Sequence, residues 1–95
     1  MPFQVIWQRD ALDQLFDLVD QVARHDILAA TRLYEDLWHA PDPLTRVPMA
    51  VHKNSPRVDG QHEIVVRPNY VVLYELNAAR MQATVTAVYH ARQQR

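Results

Sequence analysis

The side chains best suited to proton transfer or metal binding are five histidines, and they are scattered along the chain. They stand at positions 25, 39, 52, 62 and 90. Only His52 and His62 fall in one stretch, and neither cysteines nor a cluster of acids accompany them, whereas a zinc site needs several ligands at close spacing. We therefore expect no metal site and no cofactor. His90 is the histidine that could serve as a general acid or base.

Charged side chains divide the chain into an acidic first part and a basic second part. Eight acids accompany three bases up to Pro43, whereas seven bases accompany three acids from Leu44 onward, and the total is −1. A solvated acidic helix face beside an ordinary basic sheet would explain this division without any partner. Alternatively, the basic part is a surface for an acidic partner. The balanced total argues against a dedicated nucleic-acid binder.

Length and composition indicate a small globular protein. An apolar fraction of 48% in 95 residues predicts a single domain of modest core over residues 1–95. No apolar run approaches the roughly 20 residues of a membrane span, and the first residues do not resemble a secretory signal. We therefore expect a cytoplasmic protein without a membrane partner. The single glycine, Gly60, marks a turn or a close backbone approach, so the other turns should use Pro, Asn and Asp.

Hydrophobic spacing predicts a short strand followed by two helices. Residues 3–7 are rich in β-formers. Apolar residues recur at intervals of three and four over residues 11–22 and again over residues 27–38, which is the period of an α-helix with one buried face. Asp26 is the expected N-cap of the second helix. The link at residues 25–26 is short, so the helices should form an antiparallel hairpin.

Alternating and β-branched residues predict three consecutive strands in the second half. They cover residues 62–67, 70–76 and 81–89, and Arg67-Pro68-Asn69 is the turn between the first two. In the last strand a row from Ala83 to Tyr89 should alternate with a row from Thr84 to Val88. The order β-α-α-β-β-β predicts an α+β fold, with the helical hairpin packed on one face of a small, mainly antiparallel sheet. The other face would then lack cover from this chain.

Four segments occur in an order and spacing that are typical of one superfamily. They are residues 7–15, 57–66, 70–74 and 88–94, of which the ending Val-Tyr-His-Ala-Arg-Gln-Gln is the most specific. Together they resemble the RelE/ParE toxin superfamily, and the ParE branch most closely, over nearly the whole chain. The usual Ser-Pro pair at the first helix cap is replaced by Gln8-Arg9. The resemblance implies a bacterial type II toxin of a toxin-antitoxin, or plasmid stabilisation, system that a cognate antitoxin neutralises.

The resemblance implies two alternative targets. ParE members poison DNA gyrase, whereas RelE members cut mRNA in the ribosomal A site. The RelE motif Tyr-Arg-Leu-Val-Tyr places an arginine in the central strand, where this chain has Val71. Loss of such a cation costs on the order of 10²–10⁵ in rate. We therefore expect a gyrase inhibitor that is not an enzyme and binds no nucleic acid directly. A RelE-like endonuclease and a degenerate toxin that binds only its antitoxin are the alternatives.

Three sets of candidate site residues follow from the charges and the resemblance. Those expected to bind the target are Arg57, Arg67, Tyr89, His90 and Arg92. Those that a nuclease would use are His90, Lys53, Arg57 and Glu63. Those expected to contact the antitoxin in a hetero-oligomer, as an added strand or helix, are Trp38, Val71, Leu73 and Val88, beside Val66 on the uncovered sheet face.

Aromatic residues at helical spacing offer a second possible contact surface for the antitoxin. Trp7, Phe16, Tyr34 and Trp38 could form a binding face, although such residues more often belong to the core. Trp38, at the end of the second helix, is the one expected to be partly exposed.

Overall fold

The computed structural model of the protein describes residues 3–46 and 52–93, and within these ranges two helices pack on one face of a four-stranded sheet. The elements are β1 (Gln4–Trp7), α1 (Arg9–Ala23), α2 (Ile27–His39), β2 (His62–Val66), β3 (Tyr70–Asn77) and β4 (Gln82–His90). The strand order is β1-β4-β3-β2; β1 runs parallel to β4 and the other pairs are antiparallel. The predicted α+β fold and its order of elements are confirmed. None of the described helices is long and apolar enough to span a membrane.

The two helices present their apolar stripes to the sheet, as their spacing predicts. The buried positions of α1 are Ala11, Leu15 and Leu18, and those of α2 are Ala30, Leu33 and Leu37. Asp26 is the N-cap of α2, where its carboxylate accepts the backbone N–H of Ala29 at 3.0 Å. Gln8 provides no side-chain cap for α1, but Asp10 lies in the first turn, where the helix dipole favours a negative charge.

Strand β4 changes its alternation halfway along, which corrects the prediction of one continuous row from Ala83 to Tyr89. Tyr74 pairs with Val85 and Leu73 pairs with Ala87, so that Thr86 is an extra residue in a β-bulge. Before the bulge Ala83 and Val85 face the helices, whereas after it Val88 does so. Ala87 and Tyr89 therefore face the opposite side of the sheet. We call this side the far face.

The far face is not bare, which corrects a second prediction. Val71 and Leu73 lie on it and are 1% and 4% exposed, while Val88 belongs to the core under the helices and is 1% exposed. The cover comes partly from segment 52–61, which follows the outer edge of β2 through an antiparallel bridge between Asn54 and His62. Side chains of this segment then reach over the sheet.

Gln61 shows how far this cover extends. Its side-chain oxygen accepts the hydroxyl of Thr86, on β4, at 2.5 Å, and its amide donates to Glu75, on β3, at 3.3 Å. A side chain from beside β2 thus crosses β3 to reach β4. Val66, the remaining residue of the predicted patch, packs against the core on the helix side. The four apolar residues therefore do not form an exposed patch, although their contact with an antitoxin stays a prediction.

Three described residues in tight turns have a positive φ. Gly60 has a φ of +80° with open space around its missing Cβ, so it serves a turn and not a close approach. Arg67 and Met81, with φ of 52° and 53°, also adopt the left-handed conformation. For such residues this conformation costs about 1–2 kcal/mol. The predicted turn at Arg67-Pro68-Asn69 is confirmed, and in the β3–β4 turn the Asn77 side chain accepts the Arg80 N–H at 3.1 Å. The positive φ in these turns nevertheless falls on Arg67 and Met81 and not on Asn or Asp.

Candidate functional site

The most concentrated polar cluster surrounds Glu63 on the far face. The Glu63 side chain is 1% exposed. One terminal nitrogen of Arg57, Nη1, donates to both carboxylate oxygens at 2.6 and 2.8 Å, and the Ser55 hydroxyl donates to one of them at 3.1 Å. Lys53 Nζ lies 3.6 Å from the second oxygen. The structure thus brings three of the four nuclease candidates together, as a closed ion-pair network.

The electrostatics of this network favour an ionised carboxylate. Burial raises the pKa of Glu63, but hydrogen bonds from Arg57 and Ser55 and the charges of Arg57 and Lys53 outweigh burial, so its pKa lies below the usual value. The hydrogen bond to Glu63 in turn raises the pKa of Arg57. A general base works best with a pKa near the working pH and an open lone pair. Glu63 has neither property, because cations and a hydroxyl occupy its oxygens.

Tyr89 places a hydroxyl beside this ion pair. The hydroxyl is buried and has no hydrogen-bond partner among the described residues. Burial raises the pKa of Tyr89, and of the two nearby charges Arg57 lowers it while Glu63 raises it. The phenol is therefore neutral at physiological pH, and its hydroxyl retains a hydrogen atom to donate.

His90 lies apart from the other nuclease candidates. In the strand register it is opposite Tyr70, which is opposite Val66, so it shares their side of the sheet and not that of Glu63. Its ring contacts the Tyr70 ring edge-on with centroids 5.1 Å apart, and its Nδ1 accepts the backbone N–H of Arg92 at 3.1 Å. The fold does not place His90 where it could exchange a proton with Glu63 or Lys53.

Three of the residues expected to bind the target, Arg67, His90 and Arg92, lie at one end of the sheet. There β2 ends, β3 begins and β4 ends, and the Ala91 N–H donates to the Asn69 carbonyl at 2.6 Å. The Arg67 guanidinium, in the β2–β3 turn, donates to Asp36 of α2 at 2.6 and 2.9 Å. Arg92 is exposed just after β4. Arg57 and Tyr89 lie on the far face, so the set spans the end of the sheet and one of its sides.

Trp38, the predicted antitoxin contact on α2, belongs to an aromatic ladder that links β1 and both helices. Trp38 stacks on Trp7 with ring centroids 5.1 Å apart. The Tyr34 ring stacks near Trp38 with centroids 6.2 Å apart, and the Phe16 ring stacks near Tyr34 with centroids 6.4 Å apart. Phe16, at the α1 end of the ladder, is 53% exposed. The possible binding face of four aromatic residues therefore exists as a continuous, partly exposed surface.

His52 and His62, the only two histidines in one stretch, pack against a buried tyrosine. The His52 Nδ1 lies 2.7 Å from the Tyr74 hydroxyl, and the His62 ring stacks on Tyr74 with centroids 5.4 Å apart. Burial raises the pKa of Tyr74 to about 12. Within residues 3–46 and 52–93 no three histidines or acids are placed to hold one metal ion. The arrangement joins segment 52–61 to the core.

Two members of these clusters had little signal in the sequence. Ser55 bonds to Glu63 across eight residues, and Thr86 bonds to Gln61 across 25 residues. Neither pair has a periodic or motif spacing. Thr86 and Gln61 lie on different strands or segments, and only the completed sheet brings their side chains together.

Comparison with known proteins agrees with this architecture. A family model described as the ParE toxin of the type II toxin-antitoxin system, parDE, matches residues 5–95. No curated protein sequence matches. The fold is similar to a chain of the chromosomal ParDE toxin-antitoxin system from P. aeruginosa, with a TM-score of 0.78 and 14% identity over 93% of this chain and 95% of that one.

A second similar structure comes from the toxin-antitoxin complex RelBE2 of Mycobacterium tuberculosis. Its TM-score is 0.63 and its identity 22%, over 95% of this chain and 92% of that one. At such identities the two structures support the fold, whereas the family model covers almost the entire sequence. The chain, with its helical hairpin on a β1-β4-β3-β2 sheet, therefore belongs to the ParE toxin family of type II toxin-antitoxin systems.

Proposed function

We propose that this toxin inhibits DNA gyrase in the cytoplasm, in a plasmid stabilisation system, and that a cognate antitoxin neutralises it by direct binding. The observation that carries the choice of target is the closed network around Glu63. The main cation of this surface, Arg57, is held in one position by the buried carboxylate of Glu63. A cation held in this way is suited to contacts with a protein partner. The basic end of the sheet adds Arg67 and Arg92 to this surface.

The same network argues against RNA cleavage. The reaction needs a base for the 2′-hydroxyl, a cation for the developing phosphate charge and an acid for the leaving oxygen. Glu63 is engaged by Arg57 and Ser55, and His90 lies on the other side of the sheet. Val71 is buried at the position where the RelE motif has an arginine. These residues do not supply the three groups in one place.

The helical hairpin supports the proposed neutralisation. The aromatic ladder is partly exposed through Phe16, and Ile27 and Leu28 at the start of α2 are 73% and 70% exposed. Large apolar side chains exposed to this degree on the helical hairpin are typical of a protein contact surface. Near Phe16 the helix α1 carries Asp13, Asp17 and Asp20 at helical spacing, which favours a basic residue in the antitoxin segment that covers this end of the ladder.

A growth assay tests toxin status before any target is assumed. Induction of this chain alone should stop growth, and co-expression of the small protein from the neighbouring gene should restore it. Unchanged growth on induction would instead indicate a degenerate toxin.

Purified protein then tests the target. It should inhibit supercoiling by gyrase of the same species and accumulate cleaved DNA. We expect Arg92→Glu to weaken inhibition about tenfold, through repulsion at the basic end of the sheet. Arg80→Glu, in the turn at the opposite end, is the matched control and should act like wild type. Intact gyrase activity, together with A-site mRNA cuts that disappear in His90→Ala, would refute the proposal in favour of the endonuclease.

A further inference from the structure

Arg67 holds a backbone conformation that suits glycine, at the tip of the turn between β2 and β3. Its φ is 52°, and residues 67–69 are all exposed. Glycine adopts a positive φ without a steric cost, whereas an arginine does not. Backbone outliers of this kind concentrate at functional sites, where the surrounding structure holds them in place. The turn therefore carries an arginine that its backbone does not favour.

An ion pair with α2 fixes the direction of the Arg67 side chain. Its Nε and Nη2 donate to one carboxylate oxygen of Asp36, Oδ2, at 2.9 and 2.6 Å. The two side chains are 42% and 48% exposed, and ion pairs with this exposure contribute little to stability. The third guanidinium nitrogen, Nη1, has no acceptor within residues 3–46 and 52–93. Asp36 thus holds the guanidinium in one orientation and leaves one of its nitrogens open to a partner.

The same end of the sheet carries a second exposed arginine. Strand β4 ends two strands away from the end of β2, at a distance of roughly 10 Å. Arg92 follows directly, and the Ala91 N–H holds this end against the turn by donating to the Asn69 carbonyl at 2.6 Å. Neither residues 66–70 nor residues 88–93 include an acid. Arg67 and Arg92 are therefore two exposed cations on neighbouring chain segments.

We propose that Arg67 and Arg92 bind an acidic segment on the surface of the target protein, and that Asp36 is the positioning residue that orients Arg67 for this contact. The inference rests on the proposed function and adds the chemistry of the contact. A planar guanidinium binds carboxylates through directional hydrogen bonds, so its orientation affects affinity. DNA phosphates are a less suitable partner, because two arginines in a chain of net charge −1 are few for a nucleic-acid site.

Replacement of Arg67 by glycine separates binding from stability. Inhibition of supercoiling by Arg67→Gly should weaken about tenfold, because the oriented cation is lost. Arg80→Gly removes the same charge from the turn at the opposite end of the sheet and should inhibit like wild type. The Tm should fall less in Arg67→Gly than in Arg80→Gly, because Arg67 has a positive φ and Arg80 does not.

Two results would overturn the contact at Arg67. One is equal inhibition by wild type and Arg67→Gly, and the other is a larger fall of Tm in Arg67→Gly than in Arg80→Gly. If wild type itself does not inhibit gyrase, the proposed function fails, and this inference fails with it.

A double-mutant cycle tests the role of Asp36. Asp36→Ala should weaken inhibition about threefold in the wild-type background, because Arg67 loses its orientation, and should have no further effect in Arg67→Gly. Asp36→Glu keeps a carboxylate beside Arg67 and should restore most of the inhibition. Equal effects of Asp36→Ala in both backgrounds, or stronger inhibition by Asp36→Ala, would overturn the positioning role.

Salt, DNA and antitoxin controls identify the partner. Inhibition should weaken with rising salt, and less steeply for Arg67→Gly than for wild type. Wild type should not bind duplex DNA without gyrase, and DNA binding that Arg67→Gly abolishes would overturn a protein partner. The small protein from the neighbouring gene should bind Arg67→Gly as tightly as wild type. If that affinity is lost while gyrase inhibition is intact, the two arginines belong to the antitoxin contact and the inference is overturned.

Discussion

Replacement of Glu63 by glutamine should destabilise the fold while keeping the shape of the side chain. The glutamine oxygen can accept one of the hydrogen bonds from Arg57 and Ser55, but the new amide group would face the Arg57 guanidinium, donor against donor. Hydrogen bonds to charged groups contribute about 1.5–3 kcal/mol, and an unsatisfied buried group costs about 1–3 kcal/mol. Because the wild-type carboxylate is almost fully buried, we expect a loss of roughly 2–4 kcal/mol.

Urea unfolding measures this loss. With an m-value of about 1–2 kcal/mol/M, typical of a small domain, the midpoint should fall by roughly 2 M. Glu75→Gln is the matched control, since Glu75 is exposed and accepts one long hydrogen bond of 3.3 Å from Gln61. Its midpoint should change little, because exposed pairs contribute about 0–1 kcal/mol.

The pH dependence gives an independent check of the same ion pair. The pKa of Glu63 is lower in the folded protein than its ordinary value of 4.5. Its contribution is therefore fully present above that value and is lost as the pH falls through the folded pKa. The stability difference between wild type and Glu63→Gln should shrink below about pH 4. An unchanged urea midpoint in Glu63→Gln at neutral pH, or a deficit that persists in acid, would refute the proposed role of this carboxylate.

Two further predictions concern stability and one concerns binding. The free energy of unfolding should fall as the pH rises above 10, because burial raises the pKa of Tyr74 from 10.0 to about 12, and the loss approaches about 2.7 kcal/mol only above the folded pKa. Tyr74→Phe should flatten this fall in alkaline denaturation curves. Asp26→Ala should cost about 1 kcal/mol by removing the cap of α2, seen as a lower Tm, whereas Asp20→Ala should leave the Tm nearly unchanged. Phe16→Ala should weaken antitoxin binding about tenfold in calorimetry, with a small effect on stability because the ring is half exposed.

The helical half of the fold follows closely from sequence, because its determinants are local. The stripe that buries Leu15 in α1 and Leu33 in α2 repeats within each helix, and Asp26 caps α2 through a neighbour three residues away. The order of the strands along the chain also follows from the sequence, since each strand is bounded by turn residues. Structure that depends on residues close in sequence can therefore be predicted from the spacing of apolar residues.

The far face could not be predicted, because its determinants are distant in sequence. An alternating pattern cannot reveal an extra residue such as Thr86, since a bulge is defined by two residues opposite one on the partner strand. Without the bulge, Tyr89 and Val88 are assigned to the wrong sides of β4. The cover over the far face likewise depends on segment 52–61, from which the Gln61 side chain crosses β3 to reach Thr86, 25 residues later in the sequence.

The bulge at Thr86 also has a consequence for how this surface can evolve. Because successive side chains point to opposite faces, the position of the bulge decides which face each later residue of β4 joins. Thr86 itself is the residue without a partner on β3, so its deletion would leave Ala87, Val88 and Tyr89 opposite the same residues and on the same faces as now. Deletion of a paired residue such as Val88 would instead shift every later side chain of β4 to the other face. A one-residue gap in relatives is therefore compatible with the same two faces at Thr86 and incompatible with them after it.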